Sequence, residues 1–286
     1  MKIVTDSATD TELLQESEIN IPVVPLRVKL GNEEFRDKID LTADEFYALL
    51  EKTGKLPVTS QPSPGEFAEI YRKIAKDDPE ILSIHLSSGL SGTYNSAVVA
   101  AEMVPEANVT VVDTKTLSAA AGWQVWAAVR GLNLGWTKEK ILAKMKEIAD
   151  ATTSIYTLKD IKYLIHGGRI SHIKGLLASV LNIKPIIGVH KQLGNYFQVG
   201  QEFTFGKALH KLAEIVREGT ETMELMRVQV VHTGNPTGAQ QLRDKIDSVI
   251  NCKWNPIGQI SYVLGAHTGP SMIGVGFAKE AIFSEL

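Results

Sequence analysis

Over its first 150 residues the chain alternates short apolar runs with longer amphipathic ones, and that rhythm leaves few folds open. Ile3-Val4-Thr5, 81–86 and 109–112 read as strands, with one or two more between 21 and 30. The stretches 40–51, 64–76, 95–103, 117–132 and 137–149 read as helices. Leu41-Thr42-Ala43-Asp44-Glu45 opens the first like a capping box, and Pro64 suits an early helical position. The last sets Ile141, Met145 and Ile148 on one side and Lys/Glu on the other. Strands and helices alternating at this spacing predict parallel βαβ units. The segment 59–64 reads as a polar loop stiffened by Pro62 and Pro64.

After about residue 150 the rhythm changes. A β-branched strand at 152–157 is followed by a short helix at 160–166, stopped by Gly167-Gly168. A helix at 171–179, a strand at 183–190 and a hairpin turn at Leu193-Gly194-Asn195-Tyr196 come next. Helix 206–217, strand 227–232, helix 236–249 and an antiparallel pair at 257–263 and 272–278 complete the reading. The expectation is an α/β protein of two domains. Residues 1–150 form an N-terminal parallel-sheet domain, and 151–286 a mixed α+β domain.

A chain of 286 residues is long enough for a sizeable core. Its net charge of −3 gives nothing to attract nucleic acid or an anionic membrane. The lone Cys252 excludes an internal disulfide framework and suits a reducing compartment, so a cytoplasmic location is expected. No signal-peptide h-region opens the sequence and no apolar run is long enough to span a membrane. Metal-ligand spacing of His and Cys is absent, and there is no Gly-x-Gly-x-x-Gly or Walker lysine motif. No metal and no cofactor are expected.

Three small polar clusters stand out against this background. The first is Thr59-Ser60-Gln61. The second is Leu86-Ser87-Ser88-Gly89-Leu90-Ser91-Gly92-Thr93-Tyr94-Asn95-Ser96, placed where a strand hands over to a helix. The third is His267-Thr268-Gly269-Pro270-Ser271. The first helical turn carries unpaired N–H groups and a partial positive charge, so the second cluster is a seat for a phosphate or a carboxylate. The third cluster would enter from the second domain, making an interdomain cleft. Each cluster also has a plain reading: Thr59 and Ser60, or Ser87 and Ser88, as helix caps, and His267 as a loop histidine. Gly89-Leu90-Ser91-Gly92-Thr93 approaches a nucleophile elbow, but its second glycine comes one place early. A serine-dependent lipid ester hydrolase using Ser91 is the alternative it offers. The basic stretch from Lys159 to Lys184 offers Arg169 and Lys174 for docking an acidic partner.

Taken together, Asp6-Ser7, Thr59-Ser60-Gln61-Pro62-Ser63, the run from Ser87 to Thr93, Asp113-Thr114, Gly167-Gly168-Arg169-Ile170, Lys184-Pro185 and His267-x-Gly269-Pro270 resemble the DegV family, in order and along essentially the whole chain. Ser271 departs from it, standing where the family more often has glycine. The resemblance implies a two-domain fold with a ligand between the domains. It implies a long-chain fatty acid in a buried tunnel, its carboxylate held by Thr59, Ser91 and His267 with the backbone N–H groups of Gly92 and Thr93. It implies a lipid-binding protein rather than an enzyme. Its partner would be the ATP-binding subunit of a fatty acid kinase, which makes acyl-phosphate for phospholipid synthesis. A lipid carrier or sensor without a kinase partner is the other alternative. Ile170, Leu176, Leu177, Val180 and Ile183 are the candidates for the tunnel wall. With no Lys or Arg in the Ser87-to-Ser96 turn, the donors around the carboxylate are expected to be neutral.

Overall fold

A computed structural model describes residues 1–14, 21–173, 183–221 and 223–286. The first half contains β1 (Lys2–Asp6), β2 (Val23–Val24), β3 (Arg27–Leu30), β4 (Glu33–Arg36), α1 (Ala43–Thr53), β5 (Val58–Ser60), α2 (Pro64–Ala75), β6 (Glu80–His85), α3 (Thr93–Glu102), β7 (Asn108–Asp113), α4 (Ser118–Asn133) and α5 (Lys138–Ala151). Strands β2, β1, β6 and β7 lie side by side in that order, all parallel, with Ile3 opposite Leu82 and Ile84 opposite Val112. A small antiparallel sheet, β4-β3-β5, sits apart from them.

Local chemistry explains the helix starts. Thr42 and Glu45 form a reciprocal capping box on α1, and Ser63 and Glu66 form another on α2, where Pro64 takes the first helical position. Ser63 is therefore the cap of α2. Thr59, expected in a loop, is instead on β5, paired opposite Val28.

The second half contains β8 (Thr153–Thr157), α6 (Lys162–His166), β9 (Lys184–Val189), β10 (Tyr196–Glu202), α7 (Phe205–Glu218), β11 (Leu225–His232), α8 (Pro236–Asp247), β12 (Asn251–Trp254), β13 (Gly258–Gln259), α9 (Tyr262–Thr268) and β14 (Ile273–Lys279). The order β10-β9-β8-β14-β11-β12 makes a mixed sheet, with β13 pairing beside β11. The change of sheet falls between β7 and β8, and 150 lies in the last turn of α5. Of the helix expected at 171–179, a 3-10 turn occupies Arg169–His172, and 174–179 lie outside the described residues.

The C-terminal expectation needs one correction. Residues 257–263 are not a strand antiparallel to 272–278. Gly258 and Gln259 make a short parallel bridge to β11, and Ser261 then caps α9 by accepting the Val263 N–H at 3.2 Å. β14 pairs antiparallel with β11 and β8 instead. Tyr262, Val263, Leu264, Gly265 and Ala266 are all buried, so the run has no two-residue alternation to hold it as a half-exposed strand.

The halves share cores. One cluster joins Leu26, Phe46 and Leu86 to Tyr156, Ile187 and Val263, and a second packs Trp123 and Trp126 against Ala278 and Phe283. They also meet backbone to backbone at the turn after β6. A Cβ on Gly89 would lie 2.5 Å from the Leu193 carbonyl oxygen, and one on Gly194 would lie 1.8 Å from Ser87 Oγ. Gly194 also takes φ +67, so it serves both the hairpin and the contact.

That double duty is separable. Gly135 has φ +72 but open space around it. Gly135→Ala is expected to cost about 1 kcal/mol, the left-handed penalty alone. Gly194→Ala is expected to cost at least about 2 kcal/mol more in urea unfolding, because of the collision. Equal costs would show that the hairpin contact is slack.

Candidate functional site

The three polar clusters converge on one cavity, which Thr59, Ser91 and His267 all line. Thr59 reaches it from β5, Ser91 from the turn between β6 and α3, and His267 from the last turn of α9. The cavity thus lies beyond the carboxyl end of a parallel strand. Its apolar wall includes Leu26, Leu86, Leu90, Leu117, Val263 and Leu264.

Thr59 Oγ1 and His267 Nε2 are 2.7 Å apart. His267 is wedged on its other side against Gly167, where a Cβ would lie 2.1 Å from Nδ1. Nδ1 is buried and has no partner among the described residues. A buried N–H without an acceptor is rarer and costlier than a vacant lone pair. The proton therefore belongs on Nε2, which donates to Thr59. Thr59 then keeps its own O–H for another acceptor. Burial, reinforced by the charges of Arg169 and His166, pushes the His267 pKa down to about 3. The ring is neutral at any ordinary pH.

Ser91 Oγ accepts the Thr93 N–H at 3.3 Å and lies 2.9 Å from Thr93 Oγ1. Thr93 is fully buried, so of the two only Ser91 faces the cavity. Thr93 orients Ser91 from beneath. Gly92 is the N-cap of α3 and has no side-chain cap bond. A Cβ there would lie 2.5 Å from the Gln61 amide, so glycine lets Gln61 close over the turn. Ser87 Oγ accepts the Gly89 N–H at 3.1 Å and tightens the turn rather than capping the helix.

Arg169 also lines the cavity. Its Nε donates to the Leu90 carbonyl at 3.1 Å and its Nη1 to the Gly167 carbonyl at 2.6 Å. The expectation of a charge-free surround is therefore corrected: a fixed guanidinium stands at the wall. Sequence reading placed Arg169 in partner docking because the turn that holds it is remote in sequence from the other clusters. Gln61 and Tyr196 are lining residues that the site assignment missed. Val263 and Leu264 carried a signal, lying four and three residues before His267 and so on its helical face.

Of the expected wall residues, Ile170 and Ile183 are buried in the core shared by both halves and do not line the cavity. Leu176, Leu177, Val180 and Lys174 lie outside the described residues. Ser271 takes φ +73, the left-handed region that a glycine enters freely, so the backbone keeps a glycine-like conformation there despite the serine.

The geometry weighs against Ser91 as a nucleophile. The nearest group to its hydroxyl is Thr93, while His267 Nε2 is engaged by Thr59. A histidine with a pKa near 3 is a poor general base at neutral pH. A serine–histidine–aspartate chain does exist elsewhere. Ser83 Oγ is 2.7 Å from His85 Nε2, and His85 Nδ1 is 3.0 Å from Asp6 Oδ2. All three are fully buried and Tyr71 closes the chain at 2.7 Å, so no substrate reaches it. Asp6 also accepts the Leu86 and Ala8 N–H groups, tying β1 to the turn after β6.

No group of His, Cys, Asp and Glu among the described residues is arranged to hold a metal. No helix among them is long and apolar enough to cross a membrane.

Comparison with known proteins places the chain among relatives of matching length. A family model described as an uncharacterised protein of the DegV family matches residues 1–280. A DegV domain-containing protein of Staphylococcus aureus (strain N315) is 33% identical over 278 residues, 97% of this chain and 98% of its own. A solved structure of a DegV family protein from Thermus thermophilus, described as fatty acid binding, is similar with a TM-score of 0.86 at 29% identity, over 97% of this chain and 99% of that one. DegV from Bacillus subtilis, described as a fatty acid binding protein, gives a TM-score of 0.86 at 27% identity, over 97% and 98%.

The neutral state of His267 has a measurable consequence. Its folded pKa lies below the value of 6.5 for a free imidazole, so the unfolded chain takes up a proton first as pH falls. Stability that is complete above pH 6.5 is lost on the way down to pH 3. Relative to His267→Gln, the protein is expected to lose on the order of 4 kcal/mol over that window in urea titrations. Parallel pH profiles for the two proteins would show that His267 is not held neutral.

Proposed function

The chain belongs to the DegV family, and on that premise we propose that it binds a long-chain fatty acid and presents its carboxylate to a separate kinase subunit. The observation that carries the reading is the convergence of Thr59, Ser91 and His267 on one leucine-walled cavity. The related proteins described as fatty acid binding support the ligand class. Burying about 14 methylenes at roughly 0.8 kcal/mol each contributes on the order of 11 kcal/mol before association costs. The tail therefore dominates affinity, and the head group has to be held without a desolvation cost that cancels it.

The donors meet that need. Thr59 and Ser91 each offer a hydroxyl to the carboxylate, and His267 orients Thr59 without adding charge. Arg169 favours the ionised acid by its field. Both of its recorded bonds go to backbone carbonyls, so it does not grip the ligand as a two-point clamp. An ionised carboxylate held by two hydroxyls keeps an oxygen able to attack a phosphoryl donor. The kinase supplies ATP and its phosphate-binding machinery, and this chain supplies a positioned acyl carboxylate. We place that exchange in the cytoplasm and treat the protein as a binding subunit, not an enzyme in its own right.

Native mass spectrometry of the purified protein is expected to retain the mass of a fatty acid. Ser91→Ala and Thr59→Val each remove one charge-assisted hydrogen bond. Each is expected to lower acyl-phosphate formation with a fatty acid kinase subunit about tenfold, while the variants still carry lipid. Wild-type rates in both variants would sink the head-group assignment. Covalent labelling of Ser91 by a fluorophosphonate would favour a hydrolase instead. Retained lipid with no phosphorylation would favour a carrier.

A further inference from the structure

Helix α9 carries three lining residues, Val263, Leu264 and His267, yet its sequence belongs to the second half of the chain. What fixes it lies mostly in the first half. The Ser261 N–H donates to Asp10 Oδ1 at 2.9 Å, and the Ser261 hydroxyl to Asp37 Oδ2 at 2.6 Å. The Val263 N–H points to Asp37 Oδ1 at 3.4 Å. Tyr262 stacks on Phe46 of α1 with ring centroids 4.9 Å apart, and its hydroxyl donates to the Arg36 carbonyl at 2.5 Å.

Both carboxylates are about 1% exposed, a costly place for charge unless it is matched. Lys38 Nζ donates to Asp10 Oδ1 at 2.6 Å and also pairs with Glu12. The Ser118 hydroxyl donates to Asp10 Oδ2 at 2.6 Å. The backbone is strained around this one carboxylate. Asp10, Lys38 and Ser118 take φ values of +47, +62 and +51, three non-glycine residues in the left-handed region. Such strain persists where surrounding structure over-determines it, and it gathers at functional sites.

The cluster lies at the foot of α9 and His267 at its head, six residues away and so about 9 Å along the axis. The head is equally fixed. Gly167 admits the His267 ring, and Gly269, at φ +72, sits against Tyr163, where a Cβ would lie 2.3 Å from the ring. A short helix pinned at both ends cannot slide or turn without moving the imidazole off Thr59.

We propose that Asp10 and Asp37 are positioning residues for the carboxylate pocket, fixing the foot of α9 so that His267 meets Thr59 in the register that frees the Thr59 hydroxyl for the ligand. This rests on the fatty-acid reading and goes beyond it, since neither aspartate touches the cavity.

The test compares a long-chain fatty acid with its methyl ester, which shares the tail but lacks the anionic head. Delipidated full-length protein is titrated with each. The wild type should prefer the acid. Asp37→Ala should reduce that preference about tenfold and leave ester affinity within about twofold, because only the head-group donors are displaced. Asp37→Asn, which keeps an acceptor for the Val263 N–H, should restore much of it. Ser261→Ala removes one hydroxyl and gives the same comparison should Asp37→Ala fail to fold. Acid and ester weakened together would mean a merely structural role and would overturn the proposal, as would an unchanged preference. A wild type that binds neither ligand, or does not distinguish them, would overturn the fatty-acid reading itself.

Discussion

The 2.7 Å contact between Thr59 and His267 closes the pocket, and the site depends on its donor direction. It joins residues 208 apart in sequence, one on an edge strand of the first half and one on a helix folded in from the second. Only an imidazole with its proton on Nε2 leaves the Thr59 hydroxyl free, and the neutral ring does so without adding charge to the pocket. Burial, with the Arg169 guanidinium nearby, keeps the ring neutral. Protein packing thus sets the direction of one proton, and that direction decides whether a threonine at the wall is a donor or an acceptor for whatever enters.

Charge at the site is arranged by distance rather than by contact. Arg169 is anchored on the carbonyls of Leu90 and Gly167, one beside the Ser91 turn and one beside His267. The same guanidinium therefore ties two loops together, adds to the burial that keeps His267 unprotonated and favours an anion in the cavity. Lys115 plays a separate part. It bridges Asp113 at 2.8 Å and Ser88 at 3.2 Å, bracing the outer side of the turn.

Much of this was legible in the sequence because the first half obeys local rules. The strand at 81–86, the capping boxes at Thr42 and Ser63, and the alternation of strand and helix each rest on neighbours within a few residues. The misplaced pieces depend on distant partners. Thr59 looks like loop because its strand exists only by pairing with β3. Residues 257–263 look like strand because nothing local announces that Ser261 will cap a helix against Asp37. Arg169 was assigned outward because its role is set by carbonyls 79 and 2 residues away, and the first of these no local pattern reports. Thr59, Ser91 and His267 were legible through residue type and family resemblance. Their meeting was not, since it needs the fold.

Two histidines in the same molecule show how polar satisfaction separates scaffold from site. His85 is completely buried with both ring nitrogens engaged, one by Ser83 and one by Asp6, and Tyr71 completes the chain. Nothing in that network is left over, so it can specify the fold and do no more. His267 is only partly buried and its polar atoms are not all matched: Nδ1 has no partner among the described residues, and its ring has room only because residue 167 is glycine. A buried polar group left unsatisfied costs free energy that a fold under no other constraint would recover by placing a donor or a smaller side chain there. A glycine shaped around an imbalanced imidazole, on a helix held by buried carboxylates, sets His267 apart from the fully matched His85 network.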